Sequence, residues 1–323
     1  MFENLKDAKR LLIEAKLVPM QGSRFQPTGF PDLGAATYQL ADGTRMLLVE
    51  SAQSIANRLE NTIIGPDSEL VEELAGLSYI RVKLTEGSDT KTNSLIEAHR
   101  INSPFIISDE NFQKAFVEAS RYEANKPLDW QKIATALFKF DVNSLLHGVF
   151  LANLGDGRIK MPRALSGFIE ASDVQEVVSG GVKNNPIDPT GTLRAKNYDK
   201  DVYSNVPYQR VEYTAGSIKA YFNLDIGLLR SYTNGNGDAF ELLVSLALYK
   251  VLTFLEDGTR LRTACDLKLE GPLNITEPEG FAMPERTIVL SFLKGKIAAC
   301  KSLFADPAVT QLETATVIKK KSS

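Results

Sequence analysis

The chain has 323 residues, 43% apolar and 24% charged, a balance that fits a globular fold with a sizeable core, as one elaborated domain or two small ones. Its formal net charge of −3, two histidines and two separated cysteines argue against a uniformly basic nucleic-acid binder, a zinc site and a disulfide framework. No run of about 18 apolar residues is present, so no membrane span is expected, and Met1-Phe2-Glu3-Asn4-Leu5-Lys6 lacks the pattern of a secretory signal, which points to the cytoplasm.

Leu11 to Val18 mixes alternation with apolar excess and reads as a central strand stopped by Pro19. Gly22 to Gly43 is a Gly/Pro-punctuated loop, folded in part as a hairpin through Thr37-Tyr38-Gln39-Leu40 and the Asp42-Gly43 turn. Met46 to Val49 is a short strand, Ser51 to Asn61 a helix with Ser51 as N-cap, and Tyr79 to Leu84 a half-buried strand. A helical insertion over 90–140 follows, with helices at Ser94 to Arg100, Asp109 to Tyr122 and Asp129 to Phe138. Leu145 to Leu151 and Ala164 to Ala171 read as strands. The Gly-, Asn- and Pro-rich stretch from Ser179 to Gln209 cannot bury a core and reads as a protruding arm, set at 179–212. Gly216 to Leu224 is a strand, Asp238 to Phe254 a buried helix, and Arg286 to Phe292 a further strand. The order strand, helix, strand, insertion, strand, helix, strand is compatible with a ferredoxin-like core.

Several stretches carry binding chemistry. In the first loop Arg24 offers a bidentate fork for phosphate, Phe25 and Phe30 offer flat faces to bases, Gln26 adds hydrogen bonds, and glycines allow close backbone approach. The competing reading is a surface loop with both phenylalanines in the core. Helix Ser51 to Asn61 sets Ser54 and Arg58 four apart with Asn57 between them, a polar face at a helix start that suits phosphate. Its alternative is a solvated face with Arg58 paired to Glu50 or Glu60. Arg158, Lys160 and Arg163 cluster beside a Gly-Asp-Gly turn, and Lys183, Arg194, Tyr208 and Arg210 interleave cations with tyrosines along the arm, the mixture a single strand takes. Arg260 and Arg262 suit RNA, a neighbouring subunit, or an ion pair with Asp257 or Asp266. His147 sits in an apolar run and reads as structural. There is no P-loop and no complete dinucleotide fingerprint, and neither a cofactor nor a metal is implied.

The phrases Arg24-Phe25-Gln26-Pro27-Thr28-Gly29-Phe30-Pro31-Asp32-Leu33-Gly34, Leu48-Val49-Glu50-Ser51-Ala52-Gln53-Ser54 and Ala56-Asn57-Arg58-Leu59-Glu60 open a series that continues with Ser144-Leu145-Leu146-His147-Gly148-Val149-Phe150 and Ser179-Gly180-Gly181-Val182-Lys183. It ends with Tyr213-Thr214-Ala215 and Arg260-Leu261-Arg262-Thr263-Ala264-Cys265-Asp266-Leu267. In number and order they resemble the backbone subunit of the CRISPR type I-G (formerly I-U) Cascade complex, of the Cas-seven group in the RAMP superfamily. The resemblance implies an α+β, ferredoxin-like (RRM-related) palm in one elaborated domain, with the helical insertion and a thumb-like arm. It implies a non-catalytic subunit that polymerises along CRISPR RNA and presents the spacer to target DNA, alongside other copies of itself and other Cascade subunits. The residues it would assign to RNA are Arg24, Phe25, Gln26, Gln53, Ser54, Asn57, Arg58, Arg158, Lys160, Arg163, Lys183, Arg194 and Arg210. Related backbone subunits of type III complexes cut RNA with an aspartate after the first strand, so the alternative is a metal-dependent endoribonuclease using Asp32, weighed against a plain Asx-turn there. A self-associating scaffold that binds no nucleic acid is the third reading.

Overall fold

The structure, a computed structural model, describes residues 2–30, 32–84, 91–190 and 205–314. Arg194, expected in the arm, lies outside the described residues.

The spine is an antiparallel sheet. Leu11–Pro19 and Ser217–Leu224 pair at its centre, with Leu11 opposite Leu224 and Leu17 opposite Ile218. Leu165–Ser172 lies against the far side of Ser217–Leu224, followed by Arg45–Glu50 and Thr37–Gln39 at one edge. Cys265–Leu269 and Asn274–Glu277 border Leu11–Pro19 on the other side, with Arg260–Arg262 outermost. Helix Ala52–Asn61 leads from the first strand toward Leu165–Ser172, and helix Gly237–Asp257 from Ser217–Leu224 to the Arg260–Arg262 and Cys265–Leu269 hairpin. The four strands Leu11–Pro19, Leu165–Ser172, Ser217–Leu224 and Cys265–Leu269 thus follow a β-α-β-β-α-β path and stand in the order fourth, first, third, second.

Alternation explains which face is covered. Leu11, Ile13, Ala15 and Leu17, with Ile218, Ala220, Phe222 and Leu224, are buried at period two. Helix Gly237–Asp257 buries nearly all of its length, and helix Ala52–Asn61 buries Ile55, Ala56 and Leu59. Gly167 lets that shorter helix approach, because a Cβ there would lie 2.7 Å from the Phe222 ring and 3.1 Å from Ile55 Cγ2. Ser51, Asp109, Asp129, Asp225 and Asn236 each accept a backbone N–H at a helix start.

Within the insertion, helices Glu110–Ser120 and Trp130–Phe140 fall where their periodicity placed them and pack Phe112 edge-on against Phe140 at 5.4 Å. Tyr79–Leu84 stands outside the main sheet, pairing antiparallel with Lys91–Asn93 and parallel with Val309–Thr314.

Three expectations are corrected. Arg286 to Phe292 is not a strand but the start of helix Arg286–Ala299, which buries Val289, Leu293 and Ile297 four apart. The β-branched run Thr287-Ile288-Val289 suggested a strand, and packing on helix Gly237–Asp257 overrides that preference. The expected strand Leu145 to Leu151 divides into helix Asn143–His147 and strand Val149–Leu151 at Gly148, whose φ of 75° ends the helix. Ser94 to Arg100 forms turns, followed by the 3-10 turn Arg100–Asn102, rather than a helix.

The arm is more regular than its composition suggested. Gln175–Lys183 and Val206–Thr214 pair with each other as a two-stranded ribbon, exposed along much of its length and tied to the first loop by a bridge between Phe25 and Tyr213.

Gly167→Val should overpack the contact between sheet and helix Ala52–Asn61 and cost about 1–3 kcal/mol, measured by urea denaturation; an unchanged midpoint would show that the helix does not rest on this position.

Candidate nucleic-acid interface

Glu50 ends its strand immediately before the helix cap Ser51 and is buried, so its charge needs local partners. It accepts from Ser54 Oγ and pairs with Arg58, at 3.4 Å, and with Arg262. Arg58 also donates to the Leu261 carbonyl at 2.5 Å, and Arg262 to the carbonyls of Gln26 and Val49 at 3.0 and 3.2 Å. Burial pushes both guanidinium pKa values down from their ordinary range. Ser54 and Arg58 therefore face inward onto Glu50 rather than outward to a phosphate. Cys265 lies beside these arginines, and burial pushes its thiol up to about 11.

Phe25 has no exposed surface, which removes it as a stacking platform; its backbone exchanges two 2.9 Å hydrogen bonds with Tyr213 and anchors the first loop to the ribbon. The loop and ribbon enclose a groove of about 720 Å³, lined on one side by Gln26, Thr28 and Gly29 and on the other by Tyr208, Arg210 and Tyr213, with Arg262 between. The ribbon register sets Lys183, Tyr208 and Arg210 on one face, opposite Val206, Gly181 and Ser179. The Tyr208 ring lies over Gly181, where a Cβ would meet its hydroxyl at 2.9 Å, and the Arg210 guanidinium sits 5.9 Å from the ring centre. Arg24 and Arg210 flank the buried Glu212 at 3.4 and 3.5 Å, and Ser179 donates to it at 3.0 Å. Tyr208 remains half exposed. The other ribbon face sets Val178 opposite Val211 and Val182 opposite Pro207, and also carries Gln209 and the pair Glu176 and Tyr213, which with Val211 reach the groove.

The outward face of helix Ala52–Asn61 borders a second recess of about 610 Å³, lined in part by Gln53, Asn57, Asn61, Arg100 and Arg163. Arg163 donates to Gln53 Oε1 at 3.0 Å and reaches the Ala52 and His147 carbonyls at 3.4 and 3.5 Å. Glu60, expected as an alternative partner of Arg58, instead takes a bidentate pair from Arg100 at 2.6 and 2.7 Å. Lys250, fully buried in the long helix, donates to Asn143 and lies 2.9 Å from His147 Nε2. Burial pushes Lys250 down to about 7, His147 well below its usual range and Asp141 up to about 6.

Arg158, Lys160, Arg260 and Asp32 join neither site. Arg158 closes its own turn, bonding Asp156 at 2.6 Å and the Lys126 carbonyl at 2.7 Å. Lys160 lies over the exposed Phe150 ring at 5.6 Å. Arg260 lines a smaller cleft with Arg58, while Arg262 pairs with Glu50 rather than Asp257 or Asp266. Asp32 sits in an exposed turn, and among the described residues no group of three His, Cys, Asp or Glu is placed to hold a metal. The Arg58–Glu50 pair weighed as the alternative is present, but sequence reasoning missed Arg262 as its third member and Arg100 and Lys250 beneath the recess, since these partners lie 40 to 212 positions away. Only the apolar setting of Lys250 in a buried helix hinted at them.

The family model for CRISPR-associated protein GSU0053 matches residues 11–176, and the chain belongs to that family. No curated protein matches it. Among solved structures it is similar, at 13% identity and a TM-score of 0.45, to a chain of a "CRISPR RNA-guided surveillance complex, pre-nicking", over 94% of this chain and 96% of that one. A chain of a "CRISPR RNA-guided surveillance complex" follows at 14% identity and TM-score 0.40, over 91% and 80%. Thermofilum pendens Csc2 is similar at 11% identity and TM-score 0.33, over 94% and 80%. Among the described residues no helix is long and apolar enough to cross a membrane.

Glu50→Gln should strand two half-buried guanidiniums and cost about 3 kcal/mol in denaturant unfolding; no loss of stability would show the junction to be dispensable. Lys250 is depressed from 10.5 to about 7 in the folded state, so the cost of its buried charge is full below pH 7 and fades as pH rises toward 10.5. Asp141 runs oppositely: raised from 3.8 to about 6, it favours the fold at low pH, and that contribution is lost as pH rises through 6. Lys250→Met should therefore flatten the rise in melting temperature between pH 7 and 10 while leaving the change below pH 6, in melts recorded across that range.

Proposed function

We propose that this chain is a non-catalytic, RNA-binding backbone subunit of a Cascade-type CRISPR effector of type I-G, of the Cas-seven group, laid in several copies along the guide and leaving base edges free to pair with target DNA. The observation that carries the reading is the groove between the first loop and the ribbon, in a chain of a CRISPR-associated family. One wall offers backbone and amide groups from Gln26 to Gly29, and the other a half-exposed tyrosine beside Arg210, with Lys183 further along the same ribbon face. Stacking on an aromatic ring contributes about 1–3 kcal/mol per base without sequence choice, which suits a spacer of arbitrary sequence. Arg210 and Arg262 stand against Glu176 in the lining of this groove, and Arg24 pairs with Glu212 beside it, leaving a local excess of positive charge on an acidic chain.

The strand order supports reading the main sheet as a ferredoxin-like palm, and the ribbon's length and separate pairing support reading 179–212 as the thumb-like arm. Gln26 and Arg210 are then the groove residues, with Arg24 and Lys183 beside it on the loop and the ribbon, and Gln53, Asn57 and Arg163 on the palm. The valine-bearing ribbon face gives a surface for a neighbouring copy or another subunit. A cytoplasmic location follows from the CRISPR role.

The chain purified from its host should carry RNA of uniform length, seen in its absorbance ratio and by sequencing. Tyr208→Ala and a combined Arg24→Glu, Arg210→Glu variant should weaken single-stranded RNA binding, the first by about 1–3 kcal/mol for each stacked base. The log of affinity should fall with log salt at about −0.7 per phosphate neutralised. Affinity indifferent to salt and to both changes would overturn the assignment of the groove.

A further inference from the structure

We propose that the recess beside helix Ala52–Asn61 reads the sugar of the guide rather than its bases, holding ribose 2′-hydroxyls and so selecting RNA over DNA whatever the sequence. This rests on the RNA-binding reading above and goes beyond it by giving the sugar readout a place. The donors come from one helix face. Gln53, Asn57 and Asn61 stand four residues apart and exposed along the recess, with successive carboxamides about 6 Å apart along the axis. A guanidinium carries only donors, so Arg163 Nη2, 3.0 Å from the Gln53 amide, faces that amide's oxygen. The Gln53 nitrogen then donates to Asn57 Oδ1 at 3.0 Å, which leaves the Asn57 NH₂ group for a ligand.

The same lining supplies acceptors. Glu97 accepts from Thr92 and, at 2.8 Å, from Ser103, while Glu60 holds Arg100 in the bidentate pair, so both carboxylates are fixed and keep acceptor capacity to spare. Arg100 and Arg163 balance Glu60 and Glu97, so the walls carry no net charge to draw a phosphate, which only accepts. A hydroxyl both donates and accepts, and the 2′-hydroxyl is the group by which a protein tells RNA from DNA. Deoxyribose would cover the same amides and carboxylates while offering them no partner. The sugar is common to all four nucleotides, so this contact leaves every pairing edge free, as a spacer of arbitrary sequence requires. Ile64 and the exposed Ile96 give apolar surface for the sugar ring, and about 610 Å³ accommodates it with its linkages.

The experiment is fluorescence anisotropy of the full chain with an RNA dodecamer of adenine, cytosine and guanine and its DNA counterpart, which differ only at the 2′ position. The expected result is a preference for RNA on the order of tenfold, unchanged when the bases are permuted. It should shrink in Asn57→Ala and vanish in a combined Gln53→Ala, Asn57→Ala variant, through weaker RNA binding alone. Both residues are exposed, and thermal melts check that the variants fold. Tyr208→Ala in the groove should weaken both strands alike and keep the ratio; a ratio lost there instead would move the sugar readout to the groove and overturn the proposal. Equal affinity of the wild-type chain for RNA and DNA, or a ratio unchanged in the combined variant, overturns it too and leaves the groove reading standing. Failure to bind either strand overturns both.

Discussion

A carboxylate buried at the end of a strand sets the geometry of the groove. Glu50 cannot remain charged in the interior alone, and its neutralisation draws Arg58 from the next helix and Arg262 from a hairpin far along the chain. Each arginine carries a further link, Arg58 to the Leu261 carbonyl and Arg262 to the carbonyls of Gln26 and Val49. One negative charge thus fixes the entry angle of helix Ala52–Asn61, the position of Arg260–Arg262 and the course of the first loop. The groove inherits its floor from this arrangement.

The architecture was legible wherever periodicity was unmixed. Alternation over Ser217–Leu224, the apolar length of Gly237–Asp257 and the cap at Ser51 each depend on near neighbours and survive folding unchanged. Helix Arg286–Ala299 failed that test, because its strand-like opening is outweighed by a stripe that becomes visible only when Leu293 and Ile297 are counted with Val289. Side-chain direction was less legible than secondary structure. Arg58 and Asn57 are adjacent in sequence, yet one turns to a buried carboxylate and the other to an open recess. Phe25 is polar-flanked in sequence and fully buried in space, because the bridge to Tyr213 turns its side chain into the core.

Overall acidity proves a poor guide to the groove. Part of the negative charge is held between the long helix and Arg286–Ala299, where Asp238 and Glu241 pair with Lys296, and Glu256 and Asp257 with Arg286. These pairs fasten Arg286–Ala299 to the long helix and, with four carboxylates to two cations, keep two negative charges there. At the groove, by contrast, guanidiniums outnumber the carboxylates that orient them. A net charge of −3 sums over both regions, whereas a bound polyanion senses the nearer one through a screening length of about 8 Å.

The two sites differ in how firmly they are built. Behind the recess stand the Arg100–Glu60 pair, the Arg163 contacts to two carbonyls and the buried Lys250–Asn143–His147 contacts, so its donors are held in place before any ligand arrives. The outer wall of the groove is a two-stranded ribbon held to the first loop at its base by the Phe25–Tyr213 bridge, and a two-stranded hairpin holds its shape weakly unless something packs against it. Its valine-bearing face, with Val178 and Val182 exposed, has surface to bury against a neighbour, and its cationic face has surface to bury against a strand. A rigid floor with a compliant wall suits a polymer whose sequence varies: the floor fixes the path, while the wall closes over whatever bases the path presents.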